Sequence, residues 1–184
     1  MNGRLREAAG DLLKVLRGVR AGHLAAFEKE VLASHRVFVT GLGRTGLMMR
    51  GFAMRLMHVG RRVYHVGDVI TPAIRKGDLL VIGSRTGRSP VLSFFIDVAH
   101  RAKARVAVVT GNARSVVARA ADVVLAIDDR PVVEDRKRRG EPYLPLGSLF
   151  EQALLLVLDQ VVVELMDALH LTERDLARIH TRFE

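Results

Sequence analysis

The sequence predicts an α/β fold in which a parallel sheet of five strands is covered by helices on both faces. Five short apolar runs have the length and residue types of buried strands, and segments with helical spacing of apolar residues separate most of them. Strands that alternate with helices at short spacing are typical of a parallel sheet. The predicted strands lie at 36–40, 63–66, 79–82, 106–109 and 123–127.

Most of the remaining chain is predicted to be helical. Apolar spacing predicts a helix over 5–33, which Gly18 and Gly22 divide into two pieces. The other predicted helices lie at 47–59, 91–104, 114–121 and 146–169, with a capped short helix at 172–184. The polar segment 128–145 is expected to be a solvated loop, or a loop that closes over an anionic ligand. Because apolar positions nearly encircle the helix at 146–169, we expect it to pack against another subunit.

The composition favours a single cytoplasmic domain over residues 1–184. A chain of 184 residues that is 49% hydrophobic can bury a core of its own. The absence of cysteine excludes disulfides and thiolate metal sites. No secretory signal is recognised at the N-terminus, and charged residues interrupt the longest apolar stretch, 153–169. We therefore expect no membrane span.

The net charge of +9 suits either nucleic acid or an arginine-rich surface around an anionic substrate. Tryptophan is absent and tyrosine is scarce, so neither a platform for stacking bases nor a nucleic-acid partner is expected. The seven histidines show no ligand-like spacing, so no metal is predicted.

The first candidate site is the turn Gly41-Leu42-Gly43-Arg44-Thr45-Gly46, between the first strand and a helix. Backbone amides and the start of a helix make such a turn a phosphate site. The turn also satisfies G-x-G-x-x-G, and Asp68 follows at about 20 residues, so a nicotinamide cofactor is one alternative. Arg44 and Thr45 favour a small phosphorylated ligand instead. A tight connection without any ligand is the other alternative.

The second candidate site is the loop 83–89, which follows the third strand and precedes a helix with Pro90 in its first turn. Its polar side chains are three hydroxyls and two guanidiniums: Ser84, Arg85, Thr86, Arg88 and Ser89. Hydroxyls, arginines and a helix start all suit a phosphate group, although a plain solvated loop remains possible. The spacing G-x-x-x-x-G-K-[ST] is absent, which excludes a P-loop nucleotide triphosphatase.

These two loops, together with three further segments, resemble the 6-phospho-3-hexuloisomerase family of sugar isomerase (SIS) domain proteins. The further segments are FAMRLMH at 52–58, TPAI at 71–74 and PLGSLFEQ at 145–152. The resemblance implies a three-layer α-β-α sandwich around a five-stranded parallel sheet. It also implies that the N-terminal helix 1–33 and the C-terminal helices 146–184 pack on this sandwich or on a partner subunit. A cytoplasmic homo-oligomer, commonly a tetramer, with sites between subunits is implied as well.

The reaction implied by the resemblance interconverts D-arabino-hex-3-ulose 6-phosphate and fructose 6-phosphate, without metal or nicotinamide. This is the second step of formaldehyde fixation in the ribulose monophosphate pathway. Glu151 matches the family's F-E-Q segment and is the first candidate for the catalytic base, while His58 matches the family's M-H and is the second. The alternative for Glu151 is a capping-box carboxylate with Ser148. The alternative for His58 is a packed histidine at a helix end.

The second loop departs from the family pattern G-S-G-S-G-E-T. Arg85 stands where the family has glycine, and Arg88 stands where it has glutamate. The hydroxyls survive, so phosphosugar binding is expected to persist. The alternative function is therefore a phosphosugar-binding or sensor protein of the same fold, with activity lost or changed by the two arginines.

Overall fold

A computed structural model describes residues 3–141 and 144–180 of the chain, with five strands between two layers of helices. The strands are β1 (Val37–Gly41), β2 (Val63–His65), β3 (Leu79–Ser84), β4 (Arg105–Thr110) and β5 (Val123–Ala126). All neighbouring strands pair in parallel, in the order β2-β1-β3-β4-β5. The predicted five-stranded parallel sheet is confirmed, and β3 lies at its centre.

The helices of the described residues follow the predicted order with one addition. They are α1 (Gly3–Arg17), α2 (Ala21–Ala33), α3 (Gly43–His58), α4 (Pro90–Arg101), α5 (Val116–Arg119), α6 (Arg130–Arg138), α7 (Ser148–Ala168) and α8 (Glu173–Ile179). A 3-10 turn, Pro145–Gly147, precedes α7. The break between α1 and α2 falls at residues 18–20, so the predicted division of the first helical segment is confirmed.

Alternate residues of the strands face opposite sides of the sheet, and both sides are buried. Val37 and Val39 belong to a core shared with α1, α2, α3 and α7, whereas Phe38 belongs to a core shared with α4 and α5. Strands covered on both faces need apolar side chains at successive positions, which explains their continuous apolar runs. The result is the predicted three-layer sandwich.

The prediction of a loop over 128–145 is wrong for its central part, which forms α6. Arg136 lies within the charged run but is buried, and its Nε donates a hydrogen bond of 2.8 Å to the buried Asp11 on α1. Asp11 and Glu141 raise the pKa of this guanidinium. Charge patterning alone could not reveal this, because a paired arginine can be buried where an unpaired one cannot. Residues 142 and 143 lie outside the described residues.

The structure confirms one of the two predicted helix caps and contradicts the other. Gly147, with φ +91°, is the N-cap of α7, so Ser148 already lies inside the helix and the predicted capping box with Glu151 is wrong. At α8 the predicted cap is confirmed, because Thr172 and Asp175 form a capping box. Residues 181–184 of the predicted tail lie outside the described residues.

Helix α7 is both long and apolar. By length and composition, residues 145–168 could cross a membrane, but 56% of the most apolar stretch of this helix is buried inside the fold. The core helix of a soluble protein has this same character. Leu155, Leu156 and Val163 remain 37–48% exposed on it. The expectation that another subunit covers them stays a prediction.

Candidate phosphosugar site

The loops that follow β1, β3, β4 and β5 meet at the carboxyl edge of the sheet, where ligands of open α/β sheets bind. The turn after β1 is tightly built. A Cβ on Gly46 would lie 2.5 Å from the carbonyl oxygen of Gly41, so no side chain fits there. Gly43, with φ +57°, begins α3, and Thr45 is buried in the first turn. The turn therefore brings the first amides of α3 to the sheet edge.

The loop after β3 has a rigid backbone. The Ser84 hydroxyl accepts a hydrogen bond of 3.1 Å from the amide of Gly87. Gly87 has φ +61°, and a Cβ there would lie 2.0 Å from the hydroxyl oxygen of Ser115. The loop ends at Ser89, the N-cap of α4, whose side chain makes no capping hydrogen bond. Its hydroxyl thus remains available to a ligand.

Arg85 is held across this edge by a buried carboxylate. Its Nε donates a hydrogen bond of 2.8 Å to Asp129, which is fully buried after β5. The aliphatic part of Arg85 lies against Gly147, because a Cβ on that glycine would approach the Arg85 Cδ to 2.9 Å. Arg85 therefore connects the loop after β5 with the start of α7.

Glu151 lies in the first turn of α7 and is 7% exposed. Its Oε2 is 2.7 Å from Nε of Arg44, at the start of α3, yet the two groups are not aligned as a hydrogen bond. Among the described residues, this buried oxygen has no hydrogen-bond donor. A buried carboxylate oxygen without a donor beside an exposed cation is suited to accepting a proton from a ligand.

Comparison with known proteins agrees with this architecture. A model of the SIS domain family matches residues 30–134, a range that contains both loops. The 3-hexulose-6-phosphate isomerase of Bacillus subtilis is 38% identical, over 84% of this chain and 83% of its own length. That of Methylomonas aminofaciens is 33% identical, over 94% of each chain.

A solved structure from Methanococcus jannaschii, for which a 3-hexulose-6-phosphate isomerase function is inferred, has a TM-score of 0.84 at 26% identity and covers 100% of both chains. The chain belongs to the SIS domain family. The resemblance to the 6-phospho-3-hexuloisomerases is confirmed, and with it the prediction of an enzyme of the isomerase class at the level of the family.

The structure separates the second catalytic candidate of this SIS domain from the first. His58 is the last residue of α3, whose 16 residues place it roughly 20 Å along the helix axis from Gly43. Its ring is 3% exposed and stacks on that of His180, with centroids 5.1 Å apart. Within one chain, His58 therefore lies far from the carboxyl edge, as a packed histidine at a helix end would.

Asp68, the residue on which the nicotinamide alternative depended, already forms an ion pair with Arg50. Arg50 on α3 donates a hydrogen bond of 2.9 Å to its carboxylate and lowers the pKa of that group. A ribose hydroxyl would have to share the carboxylate with this guanidinium.

Three polar residues at the carboxyl edge escaped the sequence-based prediction: Asn112, Asp129 and Arg130. They follow β4 and β5, so the rule that ligands bind beyond the carboxyl ends of strands could have drawn attention to them. Asp129 and Arg130 belong to the segment 128–145, for which a solvated loop or a loop that closes over an anionic ligand was expected.

Proposed function

We propose that the chain is an isomerase that interconverts D-arabino-hex-3-ulose 6-phosphate and fructose 6-phosphate through an enediol. The observation that carries the proposal is the buried Glu151 carboxylate, which lacks a hydrogen-bond donor on one oxygen and faces Arg44 at the start of α3. Relatives that are 33–38% identical over most of the chain carry the name 3-hexulose-6-phosphate isomerase.

The phosphate group of the sugar is proposed to bind where α3 and α4 begin. The first amides of α3, those of Gly43, Arg44 and Thr45, have no intrahelical partner, and the start of a helix favours negative charge. Hydroxyl donors come from the two loops: Thr45, Ser84, Thr86 and Ser89. Arg88 adds positive charge to the same edge, and the guanidinium of Arg85, whose charge is balanced by Asp129, adds further donors for a phosphate.

Glu151 is proposed as the base that moves a proton between two neighbouring carbons. It removes the proton from C2 of the hexulose, giving an enediol across C2 and C3, and returns a proton to C3. The hydroxyl proton on O2 passes to O3, so the new carbonyl forms at C2. Glu151 ends the cycle ionised, and no cofactor is consumed. Arg44, whose Nε lies 2.7 Å from Glu151, is proposed to stabilise the oxyanion that develops during the transfer.

His58 is proposed to take part only in a site shared between subunits, because it lies far from Glu151 within one chain. The exposed apolar residues of α7 and of the neighbouring surfaces offer faces for such contacts. We propose a homo-oligomer, a tetramer in the family pattern, which acts in the cytoplasm. Its reaction would be the second step of formaldehyde fixation in the ribulose monophosphate pathway.

The alternative is a phosphosugar-binding or sensor protein without this activity, and the arginines of the second loop favour it. The family glutamate is replaced by Arg88, which is exposed, so an acidic group at this edge has become a cation. Arg85, by contrast, is neutralised by Asp129. The question is therefore whether the reaction needs a carboxylate at position 88.

The test is a coupled assay in which hexulose 6-phosphate is made from ribulose 5-phosphate and formaldehyde, and fructose 6-phosphate is measured. We expect turnover in the ordinary enzyme range, roughly 1 to 1,000 per second. Glu151→Gln should lower kcat by about a hundredfold or more, since a general base contributes that much.

The control is Glu164→Gln, the same change on the exposed side of the same helix, which should keep wild-type turnover. Near-normal turnover of Glu151→Gln with unchanged structure would remove Glu151 as the base. No turnover by the wild-type protein, together with a rise in Tm on addition of fructose 6-phosphate, would favour the sensor alternative.

A further inference from the structure

An apolar cavity of about 270 Å³ lies on the face of the sheet that α4 and α5 cover. Helix α4 packs mainly on β3 and β4, and α5 packs on β4, while the segment 71–74 borders Phe38 of β1 in place of a helix. The cavity remains between this segment and α4. Its walls include Phe38, Ile74, Leu80, Phe94, Phe95 and Val98.

The chemistry of this cavity does not suit a metabolite. None of the described residues that line it is charged, and its one side-chain hydroxyl, that of Thr71, already donates a hydrogen bond of 2.6 Å to the carbonyl oxygen of His65. Sites for small molecules combine apolar walls with a few polar groups and usually have volumes of roughly 300 to 1,000 Å³. The cavity therefore suits apolar side chains of a protein.

Two apolar side chains project from the turn beside the cavity. The amide of Thr71 donates a hydrogen bond of 3.0 Å to the carbonyl oxygen of Asp68, so Val69 and Ile70 are the central residues of a β-turn. Polar residues, glycine and proline usually occupy such positions. Val69 is fully exposed and Ile70 is 81% exposed, so neither side chain fills the cavity of its own chain.

The turn 68–71 is held in place by contacts on both sides. Arg50 on α3 donates a hydrogen bond of 2.9 Å to the Asp68 carboxylate, and the Asp68 amide donates one of 3.2 Å to the carbonyl oxygen of His65. The turn leads directly into the segment 71–74, which forms one wall of the cavity. A projecting apolar turn and an apolar cavity therefore lie side by side on one surface.

We propose that this surface binds a second copy of the same chain, and that Val69 and Ile70 of each copy enter the cavity of the other. A two-fold axis brings the same surface of two copies together, so a surface that carries both a projection and a matching cavity is complementary to itself. Phe94 and Val91 on α4, which are 57% and 50% exposed, extend the apolar area beside the cavity.

The inference rests on the homo-oligomer of the proposed function and names one of its interfaces. Helix α7, whose exposed apolar residues are expected to contact another subunit, belongs to the core on the opposite face of the sheet. The two surfaces can therefore be occupied at the same time. Two different two-fold interfaces on each chain build a closed tetramer.

The experiment is light scattering on the wild-type protein and on variants of each surface. We expect a mass of four chains for the wild type, and of two chains for Ile70→Glu and for Phe94→Glu, which place a charge on the two sides of one interface. The double variant Ile70→Glu/Leu156→Glu should have the mass of one chain. The control Val116→Glu, on the exposed side of α5, should keep the wild-type mass.

Cysteine substitution tests the contact itself, because the chain has no cysteine of its own. A tagged Ile70→Cys chain that is co-expressed with an untagged Phe94→Cys chain should form a disulfide-linked pair of tagged and untagged chains on oxidation. The same tagged chain co-expressed with Val116→Cys should form no such mixed pair.

The proposal is overturned if Ile70→Glu and Phe94→Glu both keep the wild-type mass, since the surface would then serve a different protein or none. It is also overturned if the wild-type protein has the mass of one chain. Neither mass nor disulfide formation depends on turnover. Failure of this interface is therefore distinguishable from failure of the isomerase proposal, which would appear as an absence of turnover in the coupled assay.

Discussion

The backbone conformation of Gly147 determines where α7 begins, and therefore where Glu151 lies. The residue caps α7 with φ +91°, and the side chain of Arg85 fills the space that a Cβ would need. Because Asp129 holds the Arg85 guanidinium, that side chain cannot move aside freely. The placement of the proposed base therefore depends on a residue without a side chain.

We expect Gly147→Ala to lower the free energy of unfolding by about 1 to 2 kcal/mol, because alanine is strained at this backbone conformation. The start of α7 should also shift, so kcat in the coupled assay should fall more than tenfold. The matched control is Gly140→Ala, where φ is +65° and no atom lies within 4 Å of the added Cβ. If both variants lost turnover to the same degree, the contact between Gly147 and Arg85 would not be the cause of the loss.

At the scale of elements, an ion cluster joins α6 to α1, beside the apolar contact that Val133 makes with the core. Arg136 lies among three carboxylates, those of Asp11, Glu7 and Glu141. The Arg136 and Asp11 side chains are only 8% and 7% exposed, so the pair is largely shielded from water. The contact is sensitive to the loss of either partner, because the charge left behind would remain buried.

Arg136→Ala should therefore lower the free energy of unfolding by roughly 3 kcal/mol. Urea titration followed by circular dichroism measures the change. Arg138→Ala, in the same helix with a side chain that is 77% exposed, should change stability by less than about 0.5 kcal/mol. Equal stability of the two variants would show that the ion pairs of Arg136 contribute nothing.

Where α2 packs against α7, the carboxylates of Glu28 and Glu164 repel each other. Burial, with a contribution from Glu164, raises the pKa of Glu28, whose Oε1 has no hydrogen-bond partner among the described residues. Between the ordinary pKa of glutamate and this raised pKa, the folded state therefore holds a proton on Glu28 that the unfolded state has released. Stability falls as the pH rises from the ordinary pKa of glutamate to the raised value.

Glu28→Gln should accordingly stabilise the protein at pH 7.5, by on the order of 0.5 kcal/mol because solvent screens part of the effect. The gain should disappear at pH 4, where Glu28 is protonated in the folded protein. Urea unfolding at both pH values tests this, with the exposed Glu134→Gln as control. A gain of the same size at both pH values would mean that the charge of Glu28 is not its cause.

At the scale of the whole molecule, the exposed apolar residues of α7 bear on assembly. Leu156 is 45% exposed on a helix whose other side lies in the core. Light scattering should give the wild-type protein the mass of an oligomer, and Leu156→Glu should reduce that mass. Val116→Glu, which changes a valine 57% exposed on α5, on the other face of the sheet, is the control. A wild-type mass of one chain would contradict the proposed tetramer and the shared site with it.

The sequence predicted the sheet and both candidate loops because these depend on local patterns. Runs such as Val37 to Val39 have few alternatives to a buried strand, and the glycine turns follow directly. The burial of Arg136 could not be predicted from local patterns, because it depends on Asp11, 125 residues away. The same holds for Asp129, which is recognised only through its contact with Arg85. Long-range pairing, rather than periodicity, decides such positions.

The loop after β3 combines a fixed backbone with replaceable side chains. Ser84, Gly87 and Ser115 hold its path, whereas Thr86 and Arg88 are exposed and unconstrained by those contacts. Substitutions at positions 86 and 88 can therefore change the side chains at this edge while the loop backbone keeps its conformation. Under the proposed function, substrate preference can then change one residue at a time while the fold stays intact.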